Sequence, residues 1–305
     1  MESEIAYYEL TNSQAHWAEL VGRFPKNVRS GGYPHFKSNS KDEEEFVRFC
    51  TERGIGRTRM KLVSYSGIGP TQHEFFFFRP RVADIDALSI TKRNCDRGGG
   101  GTCFNGYEQV RRVVVTSKLS RMLDKFELSV CGRPGALFLI TRRVRDLILS
   151  HGFSGIELHA CLTEGTGYTE SDADLNRNEK ELADKAKYFQ FRISATTHGP
   201  AHVGHCTALR RCDGCGAVDI LVTDSGHHFH AGDLLVSDFQ AYDQCHTENL
   251  GTLQLSGKVV LISAKALRCL LTAGVKGLKG PSWAGLPIRF HAVEVLSPGS
   301  VSSVN

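Results

Sequence analysis

Two stretches of this chain carry the same punctuation, 122 residues apart. In the first, the apolar run Leu137-Phe138-Leu139-Ile140 is followed by Thr141, by Val144, Leu147 and Ile148 at helical spacing, and by Gly152. Gly155-Ile156-Glu157-Leu158 then opens another apolar segment. In the second, Val259-Val260-Leu261-Ile262 is followed by Ser263, by Ala266, Leu270 and Leu271, by Gly274 and by Gly277-Leu278. The hydroxyl residue precedes the first glycine by 11 positions in both, and the glycines are three apart in both. Each mark has its own cause. A short apolar run suits a buried strand, a hydroxyl caps a helix N-terminus, and glycine ends a helix in a left-handed conformation. The pattern predicts an α+β fold with two related strand–helix–strand units on mixed sheets. Val113-Val114-Val115-Thr116, followed by Lys118 to Phe126, echoes it without the glycines.

Between the two stretches lies Cys212-Asp213-Gly214-Cys215-Gly216. Two cysteines separated by two residues on a glycine-bearing turn can aim both sulfurs at one centre, which is half of a tetrahedral zinc site. A redox pair of the same spacing would cap a helix. Here Ala217 to Val222 reads as a strand, which favours a zinc-knuckle-like CxxCG turn. The expected ligands are Cys212, Cys215, Cys206 and His228. No second CxxC completes the site, so His198, His202, His205, His227, His230, Cys245 and His246 remain further candidates. A turn that keeps its packing role after losing zinc is the competing reading.

Other chemistry-like patterns fail on their own requirements. Asp172 to Asn178 starts like a calcium loop, but Arg177 replaces the turn glycine and Ala183 the bidentate glutamate. His73-Glu74 lacks the second histidine of a metalloprotease helix, because that position is Phe77. No nucleophile–base–orienter set stands out, and the protein is expected not to be an enzyme. An enzyme would need His198, His202 or His227 to meet Asp219 or Asp224 in one cleft.

Hydrophobic residues at 41% and charged residues at 23% are enough for a packed core. The net charge of +4 is spread along the chain, which argues against a nucleic-acid partner. No stretch approaches a membrane span, and Met1 to Tyr8 has no apolar export segment, so a cytoplasmic location with reduced cysteines is expected. Gly98-Gly99-Gly100-Gly101 reads as a joint, dividing a divergent N-terminal region (1–105) from a repeat-containing α+β domain (106–305). Strands are expected at Ile5 to Leu10, Glu74 to Arg79 and Tyr188 to Ser194, and helices at Asp42 to Glu52 and Glu179 to Lys187.

Four features in this order carry a resemblance: strand, arginine-rich helix, Gly-x-x-Gly and strand at Leu137 to Cys161; CxxCG at Cys212 to Gly216; the aromatic, aspartate-bearing Gly232 to Tyr242; and the strand–Ser–helix–Gly-x-x-Gly ending at Val259 to Leu278. Over residues 130–296 the chain resembles the double-CXXCG motif family of myxobacteria. The resemblance implies a cytoplasmic immunity protein that binds and neutralises a cognate polymorphic toxin by occlusion, without catalysis. The family's first CxxCG has no counterpart, since Asn27 to Phe36 holds no cysteine, and only Cys212 and Cys215 are carried over. Glu164 to Glu181 and His227 to His230 are the expected toxin-contact surfaces. The alternative is a zinc-ribbon-like regulatory or nucleic-acid-binding protein, which would need a basic groove.

Overall fold

The computed structural model describes residues 2–28, 33–65, 73–78, 80, 82–83, 91–93, 107–109, 111–131, 138–165, 167–204, 206–222, 228–278 and 292–296. The glycine run at 98–101 and the candidates His205, Asp224 and His227 lie outside them. The first part of the chain forms β1 (Glu2–Thr11), α1 (Trp17–Arg23), β2 (His35–Lys37), α2 (Lys41–Glu52) and β3 (Gly56–Tyr65). Then come β4 (Phe75–Phe77), β5 (Val82–Ala83), β6 (Thr91–Arg93), β7 (Tyr107–Gln109), β8 (Val114–Val115), α3 (Ser117–Phe126), β9 (Leu128–Cys131), β10 (Phe138–Thr141), α4 (Arg142–Ser150), β11 (Ile156–Ala160) and β12 (Leu162–Thr163). The rest is α5 (Glu179–Lys185), β13 (Tyr188–Ile193), β14 (Ala201–Val203), β15 (Cys206–Arg211), β16 (Val218–Val222), β17 (His228–His230), β18 (Phe239–Thr247), β19 (Gly251–Ser263), α6 (Ala264–Thr272) and β20 (Glu294–Leu296). The fold is α+β. No helix among the described residues is long and apolar enough to cross a membrane.

Residues 2–65 close a core of their own. The sheet order is β2–β1–β3, and α2 lays Phe46, Phe49 and Cys50 against Ala6, Tyr8, Phe24 and Phe36. Helix α2 starts because the Ser40 hydroxyl accepts from Glu43 N at 3.3 Å, and Asp42, Glu43 and Glu44 sit where the helix dipole favours negative charge. Glu43 is buried, held by the Tyr8 hydroxyl at 2.5 Å and Arg59 Nε at 2.8 Å.

Of the remaining strands, β12 pairs with β8 and β6 with β7, and the others build two larger mixed sheets. One has the order β11–β13–β10–β9–β5; the other is eight-stranded, β15–β16–β19–β18–β14–β17–β20, with β4 on β19. Strands β4 and β5 both precede residue 105 and pair with strands that follow it, β19 and β9. The four phenylalanines of the β4 region alternate as the pleat requires. Phe76 and Phe78 enter the largest core, while Phe75 and Phe77 enter a second core on the other face.

The strand–helix segments β10–α4 and β19–α6 have matching hydrogen bonds. Thr141 N donates to Glu127 O at 2.9 Å, and Ser263 N to Asp238 O at 2.7 Å. Arg142 N donates to Lys187 O at 2.9 Å, and Ala264 N to Glu74 O at 2.7 Å. Ile140 pairs with Leu128 and Phe189, and Ile262 with Phe239 and Phe76. Thus β13 flanks β10 as β4 flanks β19. The glycines that end the two helices are also alike: Gly152 and Gly155 have φ of 62° and 84°, and Gly274 and Gly277 have 67° and 94°. A strand, β11, follows the first pair, whereas residues 275–278 form none.

Each glycine loop leans on the strand paired with the other segment. A side chain at Gly155 would lie 1.9 Å from Phe239 O, and one at Gly277 would lie 2.0 Å from Leu128 O. Ser154 N donates to the Asp238 carboxylate at 3.2 Å, and Lys276 N to the Glu127 carboxylate at 3.1 Å. The shared core contains Phe138, Ile140 and Ile148 together with Phe239, Ile262 and Leu270.

Candidate functional site

The CxxCG segment forms the tip of the β15–β16 hairpin. Cys212 N donates to Ala217 O and Gly216 N to Cys212 O, each at 2.8 Å, and Gly216 takes a φ of 74°. Cys212 is half-buried and Cys215 exposed. Cys206 opens β15, six residues before Cys212 along an extended strand, roughly 20 Å away. His228 lies on β17, reached from β16 across β19, β18 and β14, four strand spacings or roughly 19 Å. The structure therefore brings Cys212 and Cys215 to one turn and places Cys206 and His228 elsewhere. Two cysteines are half of the four ligands that a closed zinc site takes. Among the described residues no group of three or more His, Cys, Asp or Glu is already gathered for a metal ion.

A different gathering occurs on the eight-stranded sheet. Ala201 and Val203 point into the second core, as do Phe229 and Cys245. Alternation then sends His202, His228, His230 and His246 to the opposite face. Register aligns three of them, since His202 stands across from His228 on β17 and from His246 on β18. Ring centroids of His228, His230 and His246 lie 5.6, 4.5 and 5.5 Å from that of His202. The Thr252 hydroxyl is 3.1 Å from His246 Nδ1. The Asp233 carboxylate is 3.7 Å from His202 Nε2 and accepts from His230 N at 3.1 Å. Burial, with the neighbouring His230 and His228, holds the His202 imidazole below its usual range against the pull of Asp233. By sequence these histidines are separate ligand candidates. The signal that groups them is alternation: Ala-His-Val, His-Phe-His and Cys-His-Thr put histidine on one face and small or apolar residues on the other.

Two adjoining clefts share Lys265 and Arg268 of α6. The larger, of about 740 Å³, is also lined by Glu74, Ser154, Val236 and Asp238. The smaller, of about 520 Å³, runs between α4 and α6 past Leu147, His151 and Cys269. Ser154 N, Ser154 Oγ and Ser263 Oγ all donate to the Asp238 carboxylate, at 3.2, 3.4 and 2.8 Å. Val236, on the rim, is 108% exposed, more than in an extended chain.

The acidic stretch expected as a contact surface is tied down from beneath by Arg112, which is 1% exposed. Its guanidinium donates to the carbonyls of Ala160, Asp174, Leu175 and Arg177 and to the Glu179 carboxylate. Burial pushes Glu179 up, but His159, Arg112 and the Ala160 amide outweigh it and hold its carboxyl below the usual 4.5. Asp172 accepts from Thr169 N at 2.8 Å and from Asn178 Nδ2 at 3.0 Å, so this loop is built on its own polar groups. No protein-family model, no curated protein and no solved structure matches the chain.

Proposed function

We propose that this chain is an immunity protein, one that neutralises a protein toxin by covering its working surface and not by reacting with it. The observation that carries this reading is the paired cleft on α4 and α6. Lys265 and Arg268 serve both hollows, and Val236 stands wholly in water at the rim. Interfaces of this kind anchor on apolar or aromatic side chains, with charged groups steering encounter. The Asp238 carboxylate beneath is already taken up by three donors, and the two α6 cations outnumber the exposed Glu74 in setting the polarity that faces a partner. A toxin with an acidic, apolar-studded surface is the partner that fits. The resemblance to the double-CXXCG family supports the same reading from sequence. Two related units bound into one core would give such a surface a stiff base, and the CxxCG turn would fix the β15–β16 hairpin at its edge, as a half-site for zinc or as packing alone.

Co-expression with the product of the neighbouring open reading frame is the test. Growth should be rescued by the intact chain and lost with the combined Val236→Asp, Lys265→Glu and Arg268→Glu variant, provided that variant melts as the parent does. A toxic neighbour that the intact chain fails to neutralise would remove the reading.

A further inference from the structure

We propose that His202, His228, His230 and His246 form a zinc site on the outer face of the eight-stranded sheet, independent of the CxxCG turn. The argument starts from strand geometry. Residues i and i+2 of a strand share a face, so His228 and His230 of β17 point the same way. His202 stands across from His228 in antiparallel register, and His246 across from His202 in parallel register. Three adjacent strands thus deliver four imidazoles to one patch, at no cost in backbone strain.

The spacing suits the ion. Zinc binds imidazole nitrogen at about 2.0–2.1 Å and prefers tetrahedral angles, which sets two rings on one ion with centroids ~5 Å apart. The three centroid distances from His202, 4.5, 5.5 and 5.6 Å, bracket that value. No three donors yet enclose a common point. The rings of the exposed His230 and His246 would turn about their side-chain bonds on binding, within a frame that the strands already fix.

The surroundings are those of metal-binding histidines. A ligating imidazole commonly engages a hydroxyl, carbonyl or carboxylate through its other nitrogen. Thr252, across from His246 in the β18–β19 register, places its hydroxyl 3.1 Å from Nδ1, which leaves Nε2 to face the ion. Asp233 adds a carboxylate 3.7 Å from His202 Nε2, and negative charge there favours a cation. Imidazole donors favour zinc, copper or nickel over magnesium and calcium. Cys245 belongs to the buried face of β18 and takes no part.

The test uses the full chain, stripped with chelator, dialysed against micromolar Zn²⁺ and analysed for metal. The parent and the Cys212→Ser, Cys215→Ser pair should each retain about one equivalent. The His202→Ala, His230→Ala pair should retain none, and Thr252→Val should weaken binding by about tenfold through its effect on His246. Co²⁺ in place of zinc should give a spectrum without the intense near-ultraviolet band of thiolate ligation. Should the histidine pair variant not fold, His246→Ala alone, at an exposed position, gives the same reading through lost affinity. Zinc that stays after the histidine changes, leaves with the cysteine changes, fails to bind the parent, or dialyses away at micromolar free metal would each overturn the proposal. None of these outcomes bears on toxin rescue, which is read in growing cells.

Discussion

The β10–α4 and β19–α6 segments make the same backbone hydrogen bonds at their strand ends, helix starts and glycine stops, yet they are supported differently. At the first, Arg142 reaches back to the carbonyls of Ala183, Asp184 and Ala186 around the end of α5. At the second, Ala264 stands in that position, and the neighbouring Lys265 and Arg268 line open clefts. The difference teaches that one skeleton serves two ends: one segment is locked to an added acidic loop, and the other keeps its cationic helix face available. If that comparison is right, changes to the shared skeleton should hurt equally in both segments, and changes to the added parts should not.

The largest effect is expected at the second glycine of each loop. At Gly155 and Gly277 the backbone is left-handed, and a methyl group would collide with the carbonyl of Phe239 or of Leu128. Gly155→Ala and Gly277→Ala should each cost more than about 4 kcal/mol, combining strain with displaced backbone. At Gly152 and Gly274 an added methyl group would meet nothing within 4 Å among the described residues, and alanine there should cost ~1 kcal/mol, from the left-handed conformation alone. Urea midpoints would check both. A cheap Gly277→Ala beside a costly Gly155→Ala would break the equivalence.

Arg112 comes next and belongs to one side only. Methionine in its place fills similar volume but leaves four carbonyls and Glu179 without their donor. A loss of about 3 kcal/mol is expected, as for a buried pair deprived of one member. The same variant should expose the 164–178 loop to protease while leaving α6 protected from hydrogen exchange. Equal loss of protection in α6 would mean that the two supports are not separate.

How much of this was legible follows from where each signal lives. Helical faces and glycine stops are local, so the two strand–helix segments with their glycine stops, α2, β13 and β16 could be read directly, whereas the strand expected from Gly277 does not form and Thr141 makes no capping bond. The pairing of Phe75 to Phe77 with Leu261 to Ser263 was not, because strands so distant in sequence leave no periodicity that names their partner. Cys206 looked close to Cys212 because they are near in sequence, but an extended strand turns a short separation into a long distance. Arg112, beside Arg111, carries no local signal of burial; only the folded loop of carbonyls gives it a reason to be buried. The four histidines were visible one by one, and their common face emerges once the alternation of each short strand is counted.

Acid should separate the two ends as well, with a smaller effect. The Glu179 carboxyl is held below 4.5 in the folded chain, so it contributes stability above that pH and loses it as protons are taken up below it. Stability of the parent should therefore fall from about pH 5 downward, partly through Glu179. Glu179→Gln should be less stable at pH 7, by ~1–2 kcal/mol, and flatter in acid. An acid limb unchanged by this substitution would show that the Arg112 cluster does not titrate with folding.

The smallest expected effect tests the hydroxyls that first drew the two segments together. Ser263 Oγ accepts from Ala266 N at 3.1 Å and donates to Asp238 at 2.8 Å, so it caps α6 and braces the other segment's loop. Thr141 occupies the same position before α4, but its side chain makes no capping hydrogen bond, and its buried hydroxyl has no hydrogen-bond partner among the described residues. A residue that reads as a cap can thus hold the extended conformation of one without its bond. Ser263→Ala should cost about 1 kcal/mol. Thr141→Val keeps the shape, removes an unsatisfied hydroxyl, and should be neutral or stabilising by a few tenths of a kcal/mol. Thermal melts of the two variants side by side decide the matter: equal losses would mean that Thr141 caps α4 in solution, and that the two segments match in their polar bonds as fully as they do in their backbones.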